Sequence, residues 1–327
     1  MEFESNLPKD HILDSLNSSD LSSYFVSKPQ GIAFFTILNL LIVILSFAGN
    51  GLVLFGSLKY RAIHLDKISV MFVESLAISD LLATILWYLP AVVNVGMQRW
   101  MFGEELCHFF GFFRYVPSIV QMFIIAFTGC YKLKRLCDPL SLPMETSSGR
   151  CVIMMIWVVS GGYVALWTMV FPRVIYAPLI LMCVFSPDVE EQYFMMVGIS
   201  YVLFILTTMT VIILTNLYIL YIATKPGLKS QNASPKLRKP NNKNKAIITI
   251  SLICWLFITS YLPYAIGVSI ELTGGIIPVW FAYLQNFILS LNVFANPIVY
   301  TATNARFLVF MKKTIHLNNS LEGIVVY

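Results

Sequence analysis

A chain of 327 residues that is 57% hydrophobic and only 12% charged does not have the make-up of a soluble domain, in which roughly a quarter of residues carry charge. The net charge of +5 raises nucleic acid as a partner, but the basic residues gather in loops beside apolar runs, so no nucleic acid is expected to bind. Six cysteines without zinc spacing, no Gly-rich phosphate loop and no Gly-x-Ser-x-Gly turn argue against a disulfide scaffold, a metal centre and the common nucleotide and hydrolase chemistries, and no cofactor is implied.

Residues 1–30 are polar and acidic, with a glycosylation sequon at Asn17-Ser-Ser19. No basic region followed by an apolar core marks a cleaved leader, so the first apolar helix is expected to act as the targeting signal. Seven apolar stretches follow, at 32–58, 68–97, 104–135, 149–171, 192–224, 244–271 and 277–302. Each supplies the ~20 residues that cross a ~30 Å hydrocarbon core at 1.5 Å per residue. Pro90, Pro117, Pro263 and Pro297 interrupt four of them, which membrane helices tolerate when neighbours satisfy the freed carbonyls. The expected fold is therefore an all-α membrane protein, a bundle of seven transmembrane helices.

Orientation follows from lysine and arginine. The loops after the first, third and fifth stretches, with the C-terminal tail, hold 17 of the 22 basic residues. The positive-inside rule then sets the N-terminus outside and the C-terminus in the cytoplasm, as an odd number of spans requires. The loop from Lys225 to Lys245 is basic and carries three prolines, which reads as a disordered segment facing anionic membrane lipids or a cytoplasmic partner.

Asn296-Pro297 near the end of the last stretch is costly inside a membrane. Proline removes a donor, and the asparagine amide must find partners in the bundle interior. Asp80, near the middle of the second stretch, makes the same demand, at about 2.5–3.5 kcal/mol if left unpaired at the bilayer centre. Asn50, Asn292 and Asn296 are its candidate partners.

Several short motifs stand in order on these stretches: Gly49-Asn50-Gly51-Leu-Val53, Leu76-Ala-Ile-Ser-Asp80, Trp100-x-Phe-Gly103 before Cys107, Trp157, Phe257 with Tyr261-Leu-Pro-Tyr264, Asn296-Pro-Ile-Val-Tyr300 and Asn304-Ala-Arg-Phe307. Together they resemble the rhodopsin-like (class A) G-protein-coupled receptors over about residues 30 to 315. The resemblance implies an N-terminal extracellular tail (1–30), a seven-transmembrane receptor domain (31–303), and a short amphipathic eighth helix with the cytoplasmic tail (304–327). It implies a plasma-membrane protein that binds an extracellular ligand and signals through a heterotrimeric G protein.

The same resemblance assigns residues. Cys107 and Cys183 are expected to form a disulfide. Cys130, Cys137, Cys151 and Cys254 read as packing residues. Arg114, seven residues after Cys107, falls at a principal pocket position. There it argues against cationic amines and suits a carboxylate, phosphate or peptide C-terminus; alternatively it snorkels or pairs with an outer-loop glutamate. Tyr115, Ser118, Tyr261, Tyr264 and Gln285 are expected to line the same pocket. Ser290 replaces the retinal lysine of opsins, which argues against a light receptor. Asn50, Asp80, Asn292, Asn296 and Tyr300 would form the polar activation core, where the family often holds a sodium ion. Gln121 and Val293 depart from the family pattern there, which favours a purely hydrogen-bonded core.

Tyr131-Lys132-Leu133 replaces the family's Asp-Arg-Tyr. Lysine lacks the planar fork of arginine, so Lys132 either substitutes for it at the G protein, helped by Tyr221 or Tyr300, or coupling is altered. Four readings stand at this point: a coupling receptor for a peptide, lipid or small organic acid; an atypical non-coupling member acting as scavenger, decoy or dimer partner; a transporter or channel; and a membrane enzyme. No internal repeat supports the third and no paired intramembrane carboxylates or histidines support the fourth.

Overall fold

The computed structural model describes residues 29–59, 67–138, 140, 142–170, 174–177, 182–185, 191–224, 241–272, 275 and 277–303. Asn17, the loop 225–240 and the eighth helix expected from Asn304 lie outside the described residues, as do the side chains of Lys243, Lys245 and Tyr300.

The apolar stretches fold as helices, within a few residues of their expected limits. The first span is Pro29–Lys59. The second runs Lys67–Ala83, passes through a π turn at Thr84–Tyr88 and continues as Leu89–Met97. The third comprises Gly103–Phe113 and Tyr115–Cys137. The fourth is Thr146–Val170, the fifth Glu191–Thr224 and the sixth Asn241–Leu272. The seventh is made of Val279–Ser290 and Asn292–Thr303. Among the described residues six helices are individually long and apolar enough to cross a membrane, and the seventh span carries the described apolar piece Leu284–Val299. The stretch 277–302 thus folds as two helical pieces meeting at Leu291.

Prolines account for three of the irregularities. Pro297 has no N–H to give the carbonyl four residues back, that of Val293. The first span satisfies it instead: Asn50 Nδ2 donates to Val293 O at 2.7 Å, with Ser46 Oγ 3.2 Å from the same oxygen. Gly49 permits the approach, since a Cβ there would lie 3.0 Å from the Pro297 ring. Pro90 follows the π turn, in which the Leu89 N–H reaches back to Thr84 O. Pro117 follows the break at Arg114, its ring opposed to the Phe113 carbonyl. Pro263 sits inside an uninterrupted sixth span.

The third span occupies the centre, with Ile119, Val120, Met122 and Ile124 fully buried. Apolar side chains such as Phe34, Ile37, Leu41, Met155 and Val158 are exposed on the first and fourth spans. Such a surface faces hydrocarbon, where it needs no cover. The fifth span has no proline. Thr208 and Thr210 instead bond back to Phe204 O at 2.6 Å and Leu206 O at 2.8 Å.

A feature not expected from sequence closes one end of the bundle. Strands β1 (Val174–Ala177) and β2 (Met182–Phe185) pair antiparallel, Tyr176 opposite Cys183. Cys183 is joined by a disulfide to Cys107 in the third span. The hairpin rests on the third span at Gly111, where a Cβ would collide with Val174. Of the free cysteines only Cys254 is buried; Cys130, Cys137 and Cys151 are exposed on the helix surfaces, so the packing role expected for all four is corrected to one.

Candidate functional site

Beneath the hairpin lies Arg114, at the break in the third span. It is 5% exposed, deep enough for its charge to need a partner. Its guanidinium carbon lies 4.5 Å from the Trp87 ring centre and 4.6 Å from that of Tyr115. One amino group donates to the Tyr115 hydroxyl at 2.7 Å and the other meets Met182 Sδ of β2 at 3.5 Å. Nε is buried without a hydrogen-bond partner, and no carboxylate among the described residues pairs with this cation. Two aromatic faces contribute about 0.5–2 kcal/mol each, less than the several kcal/mol that burying a charge costs. Trp87 reaches Arg114 from the π turn, which adds a residue and swings the following side chains by ~100° relative to a regular helix.

Aromatic rings surround this group. Tyr115 packs edge-on against Trp167 at 5.3 Å, and Trp167 against Tyr201 at 5.1 Å. Tyr201 hydrogen-bonds to Tyr264, and one turn deeper Tyr261 hydrogen-bonds to Ser118. Gln285 stands apart: it is buried on the seventh span with its amide against Gly267, and its Oε1 has no hydrogen-bond partner.

The polar core begins below Tyr261. The Tyr261 hydroxyl donates to Gln121 Oε1 at 3.3 Å, and Asn292 Nδ2 donates to the same oxygen at 3.1 Å. Gln121 Nε2 donates to Asp80 Oδ1 at 2.8 Å, while Asn296 Nδ2 donates to Asp80 Oδ2 at 3.0 Å. Both carboxylate oxygens therefore receive an amide donor in a fully buried setting. Asn50 reaches this group indirectly: its amide donates to Ser46 Oγ at 3.3 Å, Ser46 and Thr84 share a hydrogen bond at 2.6 Å, and Thr84 donates to Asp80 O at 2.7 Å. Five spans meet in this network.

These arrangements can be set beside known proteins. The sequence model of the family described as 7 transmembrane receptor (rhodopsin family) matches residues 49–300. The chain belongs to that family. The receptor is 26% identical to melatonin receptor type 1A-A of Danio rerio, over 90% of this chain and 85% of that one. It is 25% identical to melatonin receptor type 1A of Gallus gallus, over 84% and 77%. A shorter likeness, 25% over 41% of this chain and 32% of the other, links it to neuropeptide FF receptor 2 of Mus musculus. Squid rhodopsin shares the fold, with a TM-score of 0.75 over 88% of this chain and 86% of that one at 16% identity. Members of this family are receptors and not enzymes, and coupling to G proteins is general among them.

About 27 Å along the third span from Arg114, at 1.5 Å per residue, stands Lys132. It is partly buried, and Tyr131, in the slot of the family's acid, is buried in the core. Tyr221 is half exposed, its ring stacked on Tyr218 at 6.1 Å. Nearby, Ser251 donates to Asn216 Oδ1 at 2.9 Å, a link between the fifth and sixth spans that sequence reading missed. Trp157 donates to Ser75 Oγ at 3.1 Å, tying the fourth span to the second.

The structure gathers Arg114 with Tyr115, Ser118 with Tyr261, and Asp80 with Asn296 directly and Asn292 through Gln121. Sequence reading missed Trp87, Met182, Ser46 and Thr84, and flagged Gln121 only as a departure from pattern. The alternation of small hydroxyls and asparagines along the inward faces of the first and second spans was the available signal for Ser46 and Thr84.

Proposed function

We propose that this receptor takes an extracellular ligand bearing an acidic group, seated against Arg114 beneath the disulfide-tied hairpin, and signals through a heterotrimeric G protein at the Lys132 end. The N-terminus is extracellular and the C-terminus cytoplasmic in this reading, in line with the distribution of basic residues. The observation that carries it is the buried guanidinium of Arg114, flanked by rings and with no carboxylate partner among the described residues. A carboxylate or phosphate accepts from such a fork and supplies the missing countercharge. A peptide C-terminus, a lipid acid and a small organic acid all present that chemistry.

Tyr115, Tyr261 and Tyr264 line the route inward, and Ser118 with Tyr261 passes a shift in the pocket to the polar core. Asn50, Asp80, Asn292 and Asn296 form that core. Agonist must favour the active bundle by differential affinity, since equal affinity for both states shifts nothing. Lys132 takes the place of the family's arginine, with Tyr221 beside the coupling face. Asn17 is the glycosylation site of the outer tail.

A second reading, a non-coupling scavenger, decoy or dimer partner, rests on Tyr131-Lys132-Leu133 in place of the family's Asp-Arg-Tyr, with a buried phenol in the slot of the acid. Sensors for each G-protein class, expressed with wild type, Lys132→Arg and Lys132→Ala at matched surface levels, separate the two. Basal or ligand-evoked signal that Lys132→Ala abolishes supports coupling. Silence of wild type with signal gained in Lys132→Arg favours the non-coupling reading.

A further inference from the structure

The resemblance to the family raises a sodium ion beside Asp80, and the residues here do not fit one. A hard cation requires oxygen ligands converging on the carboxylate. The two side chains that meet Asp80 present nitrogen donors instead: Gln121 Nε2 at 2.8 Å from Oδ1 and Asn296 Nδ2 at 3.0 Å from Oδ2. An amide N–H carries partial positive charge, so it occupies the carboxylate in competition with a cation. The Gln121 oxygen is committed elsewhere, accepting from Asn292 and from Tyr261. Turning the amide so that Oε1 faced a cation would break all three of these bonds inside a site where Gln121 is 2% exposed.

Two carbonyl oxygens, Asn292 Oδ1 and Asn296 Oδ1, are buried without a donor. They are the strongest argument for a cation. Their own nitrogens, however, are bound to Gln121 and Asp80, and a neutral hydroxyl donor satisfies a carbonyl as well as a cation does.

We propose that Gln121 is a built-in substitute for the cation: its amide holds Asp80 from one side and Tyr261 with Asn292 from the other, and the core takes no sodium. Gln121 is then a positioning residue. It ties the ring at the base of the ligand pocket to the carboxylate of the second span by a single rigid amide, where a mobile ion would leave the two uncoupled. The contribution of the Asp80 core to stability is blind to sodium.

The test needs no ligand. The full chain is purified into lipid nanodiscs and its thermal unfolding followed in sodium chloride and in choline chloride at equal ionic strength. Wild type is expected to unfold at the same temperature in both salts. A sodium-specific upward shift of several degrees in wild type that vanishes in Asp80→Asn overturns the proposal; a shift that persists in Asp80→Asn arises away from this carboxylate and leaves the core sodium-free, as proposed. Gln121→Ser opens the site and is expected to acquire a sodium-specific shift that Asp80→Asn removes. If Gln121→Ser folds and remains blind to sodium, the glutamine is not what excludes the ion, and the substitution idea fails. Should that variant not fold, the wild-type comparison decides alone.

Discussion

Two buried charges, Arg114 and Asp80, lie in the same bundle and are treated in opposite ways. Asp80 has an amide donor on each oxygen, a hydroxyl chain to its backbone, and direct partners on two other spans. Arg114 has two aromatic faces, one phenol and one thioether, with Nε unpaired. A charge whose bonding capacity is filled from within holds the fold together. A charge left short of partners weakens the fold that buries it. That difference supports a structural role for Asp80 and the proposed binding role for Arg114.

Substituting leucine for each charge puts this contrast at risk. Asp80→Leu strands the Gln121 and Asn296 donors in the bundle centre, at about 1–3 kcal/mol each, so thermal stability and surface expression fall sharply. Arg114→Leu removes a poorly compensated cation and is expected to leave the stability of the ligand-free receptor within ~1 kcal/mol of wild type, or raise it. An equal loss for the two variants would erase the distinction. Thermal unfolding in nanodiscs measures both.

The hairpin above Arg114 is sharpened by its disulfide. Cys183→Ser frees the strand that carries Met182, and about 2–4 kcal/mol of stability is expected to go with it. The response to acidic ligand should fall further than the polar core is disturbed. Titration of ligand response against surface-matched wild type, with thermal unfolding beside it, reads the two separately.

A smaller effect tests the account of the seventh span. Asn50→Ala removes the donor that satisfies Val293 O and is expected to cost about 1 kcal/mol. In a Pro297→Ala background residue 297 regains its N–H, which can serve the same carbonyl, and the cost of Asn50→Ala should shrink towards zero. A double-mutant cycle on unfolding temperature measures that coupling. Additive losses would mean the asparagine does not stand in for the missing proline donor.

Much of this was legible in the sequence. Seven apolar stretches gave the spans, because the ~20-residue length requirement leaves little freedom in a membrane. Asp80 and Asn296 were readable as partners because hydrocarbon forbids either to stand alone. The hairpin was not legible: Val174–Ala177 and Met182–Phe185 are four-residue strands whose pairing depends on the disulfide and on Gly111 beneath. Trp87 was equally hidden, since its direction depends on a π turn that helical periodicity does not announce. Gln121 looked like a departure from a pattern. Only its distances to Asp80, Asn292 and Tyr261 reveal it as the centre of the network.

The central claim, that Arg114 is held for an acidic ligand, is tested most directly by thermal stabilisation of the purified receptor with matched pairs of compounds. Each carboxylic acid, including peptides with free C-termini, is set against its amide or methyl ester, on wild type and on Arg114→Leu. A ligand that binds the folded state alone stabilises by RT ln(1 + [L]/Kd), so occupancy reads out without knowledge of the signalling pathway. Acids are expected to stabilise wild type and their neutral partners to do so little, and Arg114→Leu is expected to lose that preference. Ligands that stabilise equally well as acid and amide, on wild type and variant alike, would contradict it.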